Sequence, residues 1–361
     1  MKYLRVRLEN SPYSIIVGRG VIKRASILIK KLKLGNFAYI ITNSYLKKKY
    51  LSLLVSSLRA NNFNFRVKLV PDTEKSKSFK MISEVAQDMA RYSTGKKIFV
   101  IALGGGVIGD LTGFVSAIYK RGVPYIQVPT TLLAQVDSSI GGKTAVDLAV
   151  GKNLVGAFYQ PRLVLSDISL LKTLDKRQVR AGLAEIIKYA VIEDARLFKY
   201  LEENLGRILS LDMNALEYVV SRCAGIKARI IEEDALERSG RRTILNFGHT
   251  LGHAIEVAGH YRVYNHGEAI ALGALAASFI SYQKGWISKK VLERIRTLIK
   301  RAGLPVKLNK VRYKDIINAH FYDKKFSGKR NRFVLIKKVG QAKIADNIPL
   351  GLIREALSTL F

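Results

Sequence analysis

The sequence predicts an α/β N-terminal domain with a Rossmann-like parallel sheet, followed by a mostly α-helical C-terminal domain. Strand-like and helix-like segments alternate through the first half of the chain, as in sheets whose parallel strands are joined by helices. One apolar run in this half ends directly in three glycines, Gly104–Gly106. After about Thr173 the spacing of apolar residues becomes almost entirely helical. We therefore place the two domains at residues 1–172 and 173–361.

The elements of the first domain follow from the spacing of its apolar residues. Alternation with a period of two predicts half-buried strands near the start of the chain, and continuous apolar runs predict buried strands further on. The predicted strands are Lys2–Leu8, Tyr13–Val17, Phe37–Thr42, Phe65–Val70, Lys97–Leu103 and Val123–Val128. The predicted helices are Tyr45–Leu58, Ser78–Ser93 and a segment that begins at Leu111. This order favours a parallel sheet covered on both faces.

Helical periodicity dominates the second domain. The predicted helices are Arg177–Glu193, Met213–Asp234, His249–Ala258, Gly267–Lys284 and Lys289–Ala302. Only Arg332–Lys337 is strand-like. The second domain is therefore expected to be a helical body with very little sheet.

The composition is that of a folded protein in a reducing compartment. With 48% hydrophobic and 25% charged residues, the chain is typical of globular rather than disordered proteins. The longest apolar stretch, near Ala269–Ile280, is too short to cross a bilayer. Lys2 and Arg5 lie in a strand-like run, so we expect no signal peptide. The single cysteine, Cys223, cannot form an internal disulfide, which favours the cytoplasm.

The formal net charge of +33 has two interpretations. A strongly basic protein can bind nucleic acid. Alternatively, the charge reflects a proteome rich in lysine and arginine, such as that of a thermophile, together with an active site for an anion. The basic residues are dispersed along the chain in short clusters such as Lys47–Lys49, without an arginine-rich arm or a helix-turn-helix motif. We favour the second interpretation and expect no specific nucleic-acid partner.

A glycine-rich turn follows the buried strand Lys97–Leu103. Gly104, Gly106 and Gly109 have the spacing G-x-G-x-x-G between a strand and a helix, the context in which this motif binds dinucleotides. Such glycines let the backbone approach a pyrophosphate, and the helix N-terminus offers free N–H groups. The acidic residue expected about twenty residues further on is absent. The turn alone therefore fits either dinucleotide binding or plain strand–helix packing.

A polar segment, 129–144, is rich in hydroxyls and glycines and contains Lys143; Lys152 and Asn153 follow closely. The segment lacks the charge and proline of an ordinary surface loop. Small residues suit close contact between backbone and ligand, and Lys143 and Lys152 suit anionic groups. We interpret the segment as part of a binding site.

Four of the five histidines lie within residues 249–266. His249 and His253 are four residues apart, which places both imidazoles on one face of a helix. Glu185, Glu256 and Glu268 are carboxylates that could complete a metal site together with these histidines. The spacing H-x-x-x-H lacks the glutamate of H-E-x-x-H, so peptide hydrolysis is disfavoured. The spacing does not decide which histidines bind metal and which transfer protons.

Five motifs together resemble one family. They read GGGVIGDLTGF (104–114), PTTLLAQVDSSIGGKT (129–144), AEIIKY (184–189), NFGHTLGH (246–253) and HGE (266–268). In these motifs the chain resembles the 3-dehydroquinate synthases of the sugar-phosphate cyclase family, in order and along nearly its whole length. The resemblance implies the dehydroquinate synthase-like fold and an NAD- and metal-dependent lyase of the shikimate pathway, which leads to aromatic amino acids.

The resemblance also implies roles for individual residues on the metal and substrate side. Glu185, His249 and His266 would bind zinc, or cobalt in its place, and His253 would lie near the substrate phosphate. The implied substrate-binding residues are Arg121, Asp137, Lys143, Lys152, Asn153, Lys188, Lys227, Arg242, Asn246 and Lys324. Catalytic roles would belong to Asp137, Lys143, Lys188, Asn246 and His253.

Two of these implied roles have further consequences. Arg121 resembles a residue that reaches into the site of a neighbouring subunit, which implies a homodimer. One lysine of the pair Lys324–Lys325 would meet the phosphate, and we prefer Lys324.

The same resemblance implies a set of NAD contacts. They are Asn43, Glu74, Lys77, Gly104, Gly105, Gly106, Val107, Gly109, Asp110, Thr130, Thr131, Leu133, Asp137, Lys143, Lys152, Thr173 and Gln178. Asn43 stands where the family often has an aspartate, and Thr73 stands where it has a glycine. Asn43 can still donate a hydrogen bond to a ribose hydroxyl, but the preference between NAD and NADP then depends less on charge.

The implied reaction converts 3-deoxy-arabino-heptulosonate 7-phosphate into 3-dehydroquinate and phosphate. It proceeds by transient oxidation with NAD⁺, loss of phosphate, reduction and an intramolecular aldol reaction. The substrate carries a carboxylate and a phosphate, so several lysines and arginines are needed in the binding site.

Three alternatives remain at the level of sequence. The first is another sugar-phosphate cyclase, and the second is a metal-dependent polyol or glycerol-phosphate dehydrogenase of similar architecture that releases NADH. The third, of a different class, is a basic nucleic-acid-binding protein.

Overall fold

The chain folds into two compact units. The computed structural model describes residues 1–322 and 331–361, with the backbone alone at residues 320–322. Unit 1 contains Met1–Leu174 and Leu216–Leu236, and unit 2 contains Asp175–Ala215 and Glu237–Phe361. The segment Leu216–Leu236, which the sequence-based division at residue 172 places in the second domain, thus packs with unit 1.

Unit 1 is organised around a parallel sheet. Its strands are β1 (Lys2–Val6), β2 (Tyr13–Gly18), β3 (Phe37–Thr42), β4 (Asn64–Leu69), β5 (Ile98–Gly104), β6 (Tyr125–Pro129), β7 (Lys143–Leu148), β8 (Gly151–Phe158) and β9 (Leu163–Asp167). Seven of them form one sheet in the order β1-β2-β9-β6-β5-β3-β4. β1 pairs antiparallel with β2, and every other neighbouring pair is parallel.

Helices cover both faces of this sheet because its central strands are apolar on both sides. The helices of this part are α1 (Ala25–Lys30), α2 (Ser44–Leu46), α3 (Ser52–Arg59), α4 (Phe79–Ser93) and α5 (Gly106–Ile118), with a π-helical turn over Lys47–Leu51. All residues of β5 are buried. One hydrophobic cluster contains residues of α1 and α3, and a second contains residues of α4 and α5. This arrangement confirms the predicted α/β fold class.

Unit 1 differs from the sequence-based expectation in several elements. α1 and β9 were not predicted, and a π-helical turn interrupts the predicted helix Tyr45–Leu58. α5 begins at Gly106, five residues before the predicted start at Leu111, because glycine at the N-cap and in the first turn does not prevent helix formation. The strands β7 and β8 form a separate antiparallel hairpin that starts at Lys143, at the end of the polar segment 129–144, where no strand was predicted.

Unit 2 is mostly helical, as predicted. The helices from here to the C-terminus are α6 (Lys176–Glu193), α7 (Ala195–Leu209), α8 (Met213–Glu233), α9 (His249–Ala258), α10 (His266–Gln283), α11 (Lys289–Arg301), α12 (Tyr313–Tyr322) and α13 (Leu350–Ser358). Most of α8 belongs to unit 1. Within residues 1–322 and 331–361, none of the helices combines the length and apolar character needed to span a membrane.

Unit 2 also contains a hairpin, which corrects the expectation of a single strand. β10 (Arg332–Lys338) pairs antiparallel with β11 (Gln341–Asp346). β11 was missed because its sequence, QAKIAD, is polar and half-exposed, so it lacks the apolar run that signals a strand.

Candidate functional site

A cluster of one carboxylate and two imidazoles lies inside unit 2. Glu185 is on α6, His249 is the first residue of α9, and His266 is the first residue of α10. Glu185 Oε1 is 3.3 Å from His266 Nε2 and 3.7 Å from His249 Nε2. One donor atom from each residue lies within 4.8 Å of the others. Two imidazoles and one carboxylate are a donor set found in catalytic zinc sites that keep a coordination position open, so these residues fit a divalent cation.

The three helices reach this spacing because glycines allow their backbones to touch. A Cβ on Gly267 would lie 2.4 Å from Ala181 Cα, so α10 begins directly against α6. Ala181 is one helical turn before Glu185. A Cβ on Gly273 would lie 2.0 Å from the carbonyl oxygen of Gly248, the N-cap residue of α9. Small residues at these contacts therefore set the distances between the donor atoms.

The first turn of α10 is fixed by a capping box. The Asn265 side chain accepts a hydrogen bond from the backbone N–H of Glu268, and the Glu268 carboxylate accepts one from the N–H of Asn265, both at 2.9 Å. The Arg177 guanidinium donates to both oxygens of Glu268, at 2.7 and 2.8 Å. Burial opposes ionisation, but these partners hold the pKa of Glu268 below its usual range. Glu268, which the sequence left open as a metal partner, therefore serves as a helix cap that holds His266 in place.

The two imidazoles of the cluster have different electrostatic environments. Burial alone would lower the pKa of His266, but hydrogen bonds to Glu185 and Glu256 raise it to about 10. Burial and the charge of Lys188 lower the pKa of His249 well below its usual value. The Nδ1 of His249 lies 3.1 Å from the carbonyl oxygen of Phe247. A carbonyl only accepts, so Nδ1 carries the proton, and Nε2, on the side of Glu185, keeps a lone pair that can coordinate a cation.

Other predicted residues of unit 2 surround this cluster. Lys188 is buried and pairs with Glu185 one turn earlier on α6. The ring of His253 is 5.4 Å from that of His249 and 6.3 Å from that of His266. His253, Glu256 and His266 form a second group whose donor atoms lie within 4.8 Å of one another. The histidine window is thus one contiguous cluster, although His260 is outside both groups.

The remaining predicted residues of the second domain include Arg242, Asn246, Gln178 and the pair Lys324–Lys325. Arg242 and Asn246 belong to the 3₁₀ helix Arg241–Asn246, and Arg242 is almost fully buried. Asn246 Nδ2 is 3.5 Å from Glu237 Oε1. Gln178 is exposed in the first turn of α6. Lys324 and Lys325 lie outside the described residues.

In unit 1, the glycine turn forms the N-terminus of α5. The N-cap is Gly105, which has no side chain to cap the first N–H groups of the helix. A Cβ on Gly105 would lie 3.0 Å from the Thr131 side chain, and one on Gly109 would lie 3.0 Å from the Gln127 amide. The turn is therefore closely packed, and its backbone N–H groups fit a pyrophosphate.

Residues predicted on the substrate side also meet in unit 1. Lys227, on α8, donates from Nζ to both the carbonyl oxygen and Oδ1 of Asp137, each at 2.8 Å. The hairpin carries Lys143 at the start of β7 and Lys152 and Asn153 at the start of β8. Arg121 is exposed and has a left-handed φ of 61°.

Most of the predicted cofactor residues cluster at the carboxyl ends of the parallel strands. Asn43 follows β3, is buried, and caps α2 through a 2.7 Å hydrogen bond from the Leu46 N–H. Thr130 follows β6, and its N–H donates to the Gly104 carbonyl at 3.0 Å. Val107 and Asp110 lie in the first turns of α5, and Thr131 and Leu133 follow Thr130 in the loop after β6. The hydroxyl of Thr173 is paired with that of Tyr50.

Sequence reasoning missed two residues that the structure ties to these groups. Arg177 donates hydrogen bonds to Glu268 in the capping box of α10. Asp147 contacts both Lys77 and Asn153. Neither stands in a recognisable motif, because each acts through backbone or helix-cap contacts between segments distant in sequence.

Two family models together match most of the chain. Residues 67–181 match the model "3-dehydroquinate synthase N-terminal", and residues 182–326 match "3-dehydroquinate synthase C-terminal". A 3-dehydroquinate synthase from Caldanaerobacter subterraneus subsp. tengcongensis is 46% identical over 94% of this chain and 96% of its own length. One from Desulforamulus reducens is 42% identical over 96% of this chain and 97% of its own length.

The fold is also similar to that of a solved structure that contains cofactors. A 2-epi-5-epi-valiolone synthase from Streptomyces hygroscopicus, solved with bound NAD⁺ and Zn²⁺, superposes with a TM-score of 0.88. The two chains are 26% identical, and the match covers 98% of each.

Proposed function

The chain belongs to the 3-dehydroquinate synthase family, and from this we propose that it converts 3-deoxy-arabino-heptulosonate 7-phosphate into 3-dehydroquinate and phosphate. Relatives with that name match nearly its full length at more than 40% identity. The observation that carries the proposal is the cluster of Glu185, His249 and His266 in unit 2, a metal-binding donor set within a chain of this family. The two alternative enzyme classes are not favoured by these relatives.

We propose that Glu185, His249 and His266 hold a zinc or cobalt ion. A bound cation of this kind polarises a coordinated hydroxyl as a Lewis acid. Glu256 would keep the Nε2 of His266 available by accepting a hydrogen bond from Nδ1–H. Lys188, paired with Glu185, would balance the buried negative charge and present a cation to the substrate.

We propose that unit 1 holds NAD through the glycine turn and the strand ends beside it. Bound there, NAD⁺ would supply the hydride chemistry of a transient oxidation that is reversed within one turnover. The N–H groups at the start of α5 would bind the pyrophosphate, since Gly105 leaves them uncapped. Asn43 would donate to a ribose hydroxyl, and Glu74, Lys77 and Asp110 would contact the remainder of the cofactor.

The cationic side chains would recognise the anionic groups of the sugar phosphate. Lys143, Lys152, Lys188, Lys227 and Arg242 supply the positive charge, with Asp137, Asn153 and Asn246 as hydrogen-bonding partners. His253 would position the phosphate, and the phosphate itself would take the proton during its elimination. We propose the same phosphate contact for Lys324.

We further propose a homodimer in the cytoplasm. Arg121 is exposed and has a left-handed backbone conformation in the turn after α5. Such a residue suits contact with a second copy of the chain. Sedimentation velocity tests this, and we expect both the wild type and Arg121→Ala to be dimers. In an assay of phosphate release, Arg121→Ala should lose activity.

The test of the main proposal is incubation with the heptulosonate phosphate, NAD⁺ and Zn²⁺. We expect release of phosphate, formation of 3-dehydroquinate and no net accumulation of NADH. Absence of phosphate release with zinc and with cobalt would contradict the proposal. Accumulation of NADH with glycerol or another polyol would favour the dehydrogenase alternative instead.

A further inference from the structure

The β7–β8 hairpin is held in unit 1 by a residue outside all the predicted binding positions. Asp147 lies near the end of β7, six residues before Asn153 on β8. Its Oδ1 accepts a hydrogen bond from the Asn153 N–H at 2.8 Å. Its own N–H donates to the carbonyl oxygen of Lys77 at 2.7 Å. Asp147 therefore contacts the backbones of two different segments.

The hydrogen bond to Asn153 supports an uncommon backbone conformation. Asn153 has a φ of 54°, in the left-handed region where residues other than glycine are rare and asparagine is enriched. The conformation directs the Asn153 amide toward Lys77, and its Oδ1 accepts a short hydrogen bond from Lys77 Nζ. Loss of the Asp147 acceptor would leave this conformation with one fewer restraint.

Lys77 joins the hairpin to two other segments. Its side chain is only 4% exposed, and Nζ lies 2.8 Å from Asp110 Oδ2 in α5 and 3.6 Å from Glu74 Oε1. Nζ is also 3.9 Å from Asp147 Oδ1. Burial opposes the charge, but the surrounding carboxylates raise the pKa of Lys77. A charged lysine therefore connects the loop after β4, the first turns of α5 and the hairpin.

Ion pairing extends the same network to Lys152. Its Nζ lies 3.6 Å from the Glu74 oxygen that also faces Lys77. The predicted cofactor residues Lys77 and Glu74 thus contact Asn153 and Lys152 respectively. The family resemblance assigns Asn153 to the substrate and Lys152 to both ligands.

We infer that Asp147 is a positioning residue that couples the cofactor-binding loop to the substrate-binding hairpin of unit 1. The inference rests on the proposed function for the identity of the two ligands. A ligand that orders Glu74 and Lys77 also orders Asn153, because Asp147 ties the two backbones together. The second ligand then meets a hairpin that is already ordered, which is positive cooperativity between the two binding events.

Three variants separate the hydrogen bond from the charge. Asp147→Ala removes the acceptor for Asn153. Asp147→Asn keeps an acceptor oxygen and removes the charge. Glu84→Ala removes an exposed carboxylate on α4 and serves as the control.

The experiment measures hydrogen exchange of residues 143–158 with and without NAD⁺, together with NAD⁺ affinity by calorimetry and steady-state constants for the sugar phosphate. In the wild type, Glu84→Ala and Asp147→Asn, we expect NAD⁺ to slow exchange in the hairpin. In Asp147→Ala we expect NAD⁺ to bind without slowing that exchange. The KM of Asp147→Ala should rise roughly 10-fold with kcat little changed, within the usual range of coupling between sites.

Two results would overturn the inference. One is equal protection of the hairpin by NAD⁺ in Asp147→Ala and in the wild type. The other is a parallel fall in kcat and melting temperature without a change in KM, which indicates a role in stability alone. Failure of the proposed reaction is separate, since NAD⁺ would then protect the wild-type hairpin while the sugar phosphate is not converted. If NAD⁺ does not bind the wild type, both conclusions fail.

Discussion

Nδ1 of His266 lies 3.4 Å from a carboxylate oxygen of Glu256, on the side of the ring opposite Glu185. This contact favours the tautomer of His266 that presents Nε2 to a metal. We predict that Glu256→Ala lowers zinc affinity roughly 10- to 100-fold, the usual effect of removing such a partner. Competition with a chromogenic chelator measures the change. Glu256→Gln, which keeps an acceptor oxygen, should lose less zinc affinity than Glu256→Ala. The control Glu293→Gln, on α11, should bind zinc as tightly as the wild type.

His249 and His253, one turn apart on α9, are predicted to differ in their effect on the metal. His249→Ala should lose bound zinc because it removes one of three proposed ligands. His253→Ala should keep its zinc and lose turnover, since we place His253 on the substrate side. Zinc content by elemental analysis and phosphate release together separate the two. Loss of zinc from His253→Ala would move this residue into the metal shell, through the second group that it forms with Glu256 and His266.

The contact between Gly267 and Ala181 predicts that one added methyl group disturbs the metal site. In Gly267→Ala the new Cβ meets backbone at 2.4 Å, and rigid backbone relieves such overlap only by moving the helix. We expect a loss of about 1–3 kcal/mol in the free energy of unfolding and weaker zinc binding. Chemical denaturation and chelator competition measure the two effects.

Gly206 provides the matched control for that substitution. It lies within α7 with nothing within 4 Å of an added Cβ. Gly206→Ala should therefore stabilise the protein by about 0.5–1 kcal/mol, because alanine favours the helix and restricts the unfolded chain. Destabilisation by both substitutions would show that the close approach at Gly267 is not the cause.

We expect Asp88 to contribute to the loss of stability of unit 1 at low pH. Burial opposes its ionisation, but the Arg66 guanidinium and the Tyr39 hydroxyl donate to it and hold its pKa below the usual value. A carboxyl whose pKa is lower in the folded chain than in the unfolded chain stabilises the folded state. The effect is complete above the pKa in the unfolded chain, near 4, and is lost as the pH falls through the pKa in the folded chain. Asp88→Asn should lower the free energy of unfolding by about 1 kcal/mol at pH 7. It should also reduce the amount by which this free energy falls between pH 5 and pH 2. Urea denaturation at several pH values tests this, and an unchanged pH profile would contradict it.

Sequence periodicity predicted several of the apolar elements, although it did not predict the fully buried strand β9. β5 is buried at every residue, and its sequence is one apolar run. α10 begins at His266, one residue before the predicted start of this apolar helix. The hairpin strands β7 and β8 were missed, because their small and polar residues, half of them exposed, resemble a ligand-binding loop. β11 was missed for the same physical reason, being polar along an exposed edge.

The sequence indicated which residues could form the site, and it indicated their arrangement much less. The spacing of His249 and His253 indicated a shared helix face, and both residues do lie on α9. The spacing could not connect Glu185, which is more than sixty residues away and is brought to His266 by the α6–α10 contact at Gly267. Only the family resemblance singled out Glu185. The role of Glu268 as a cap was also hidden, because N-x-x-E at a helix start and a metal-binding glutamate look alike in sequence.

The backbone contact between α6 and α10 has a consequence for how heat inactivates the protein. Peptide groups have no rotamers, so the separation of the backbones that carry Glu185 and His266 does not broaden as side chains gain mobility on warming. The two side chains therefore stay anchored within reach of one another until the two helices part. Metal release and the unfolding of unit 2 should therefore be one thermal event, and inactivation by heat should show no stage at which a folded unit 2 has lost its ion.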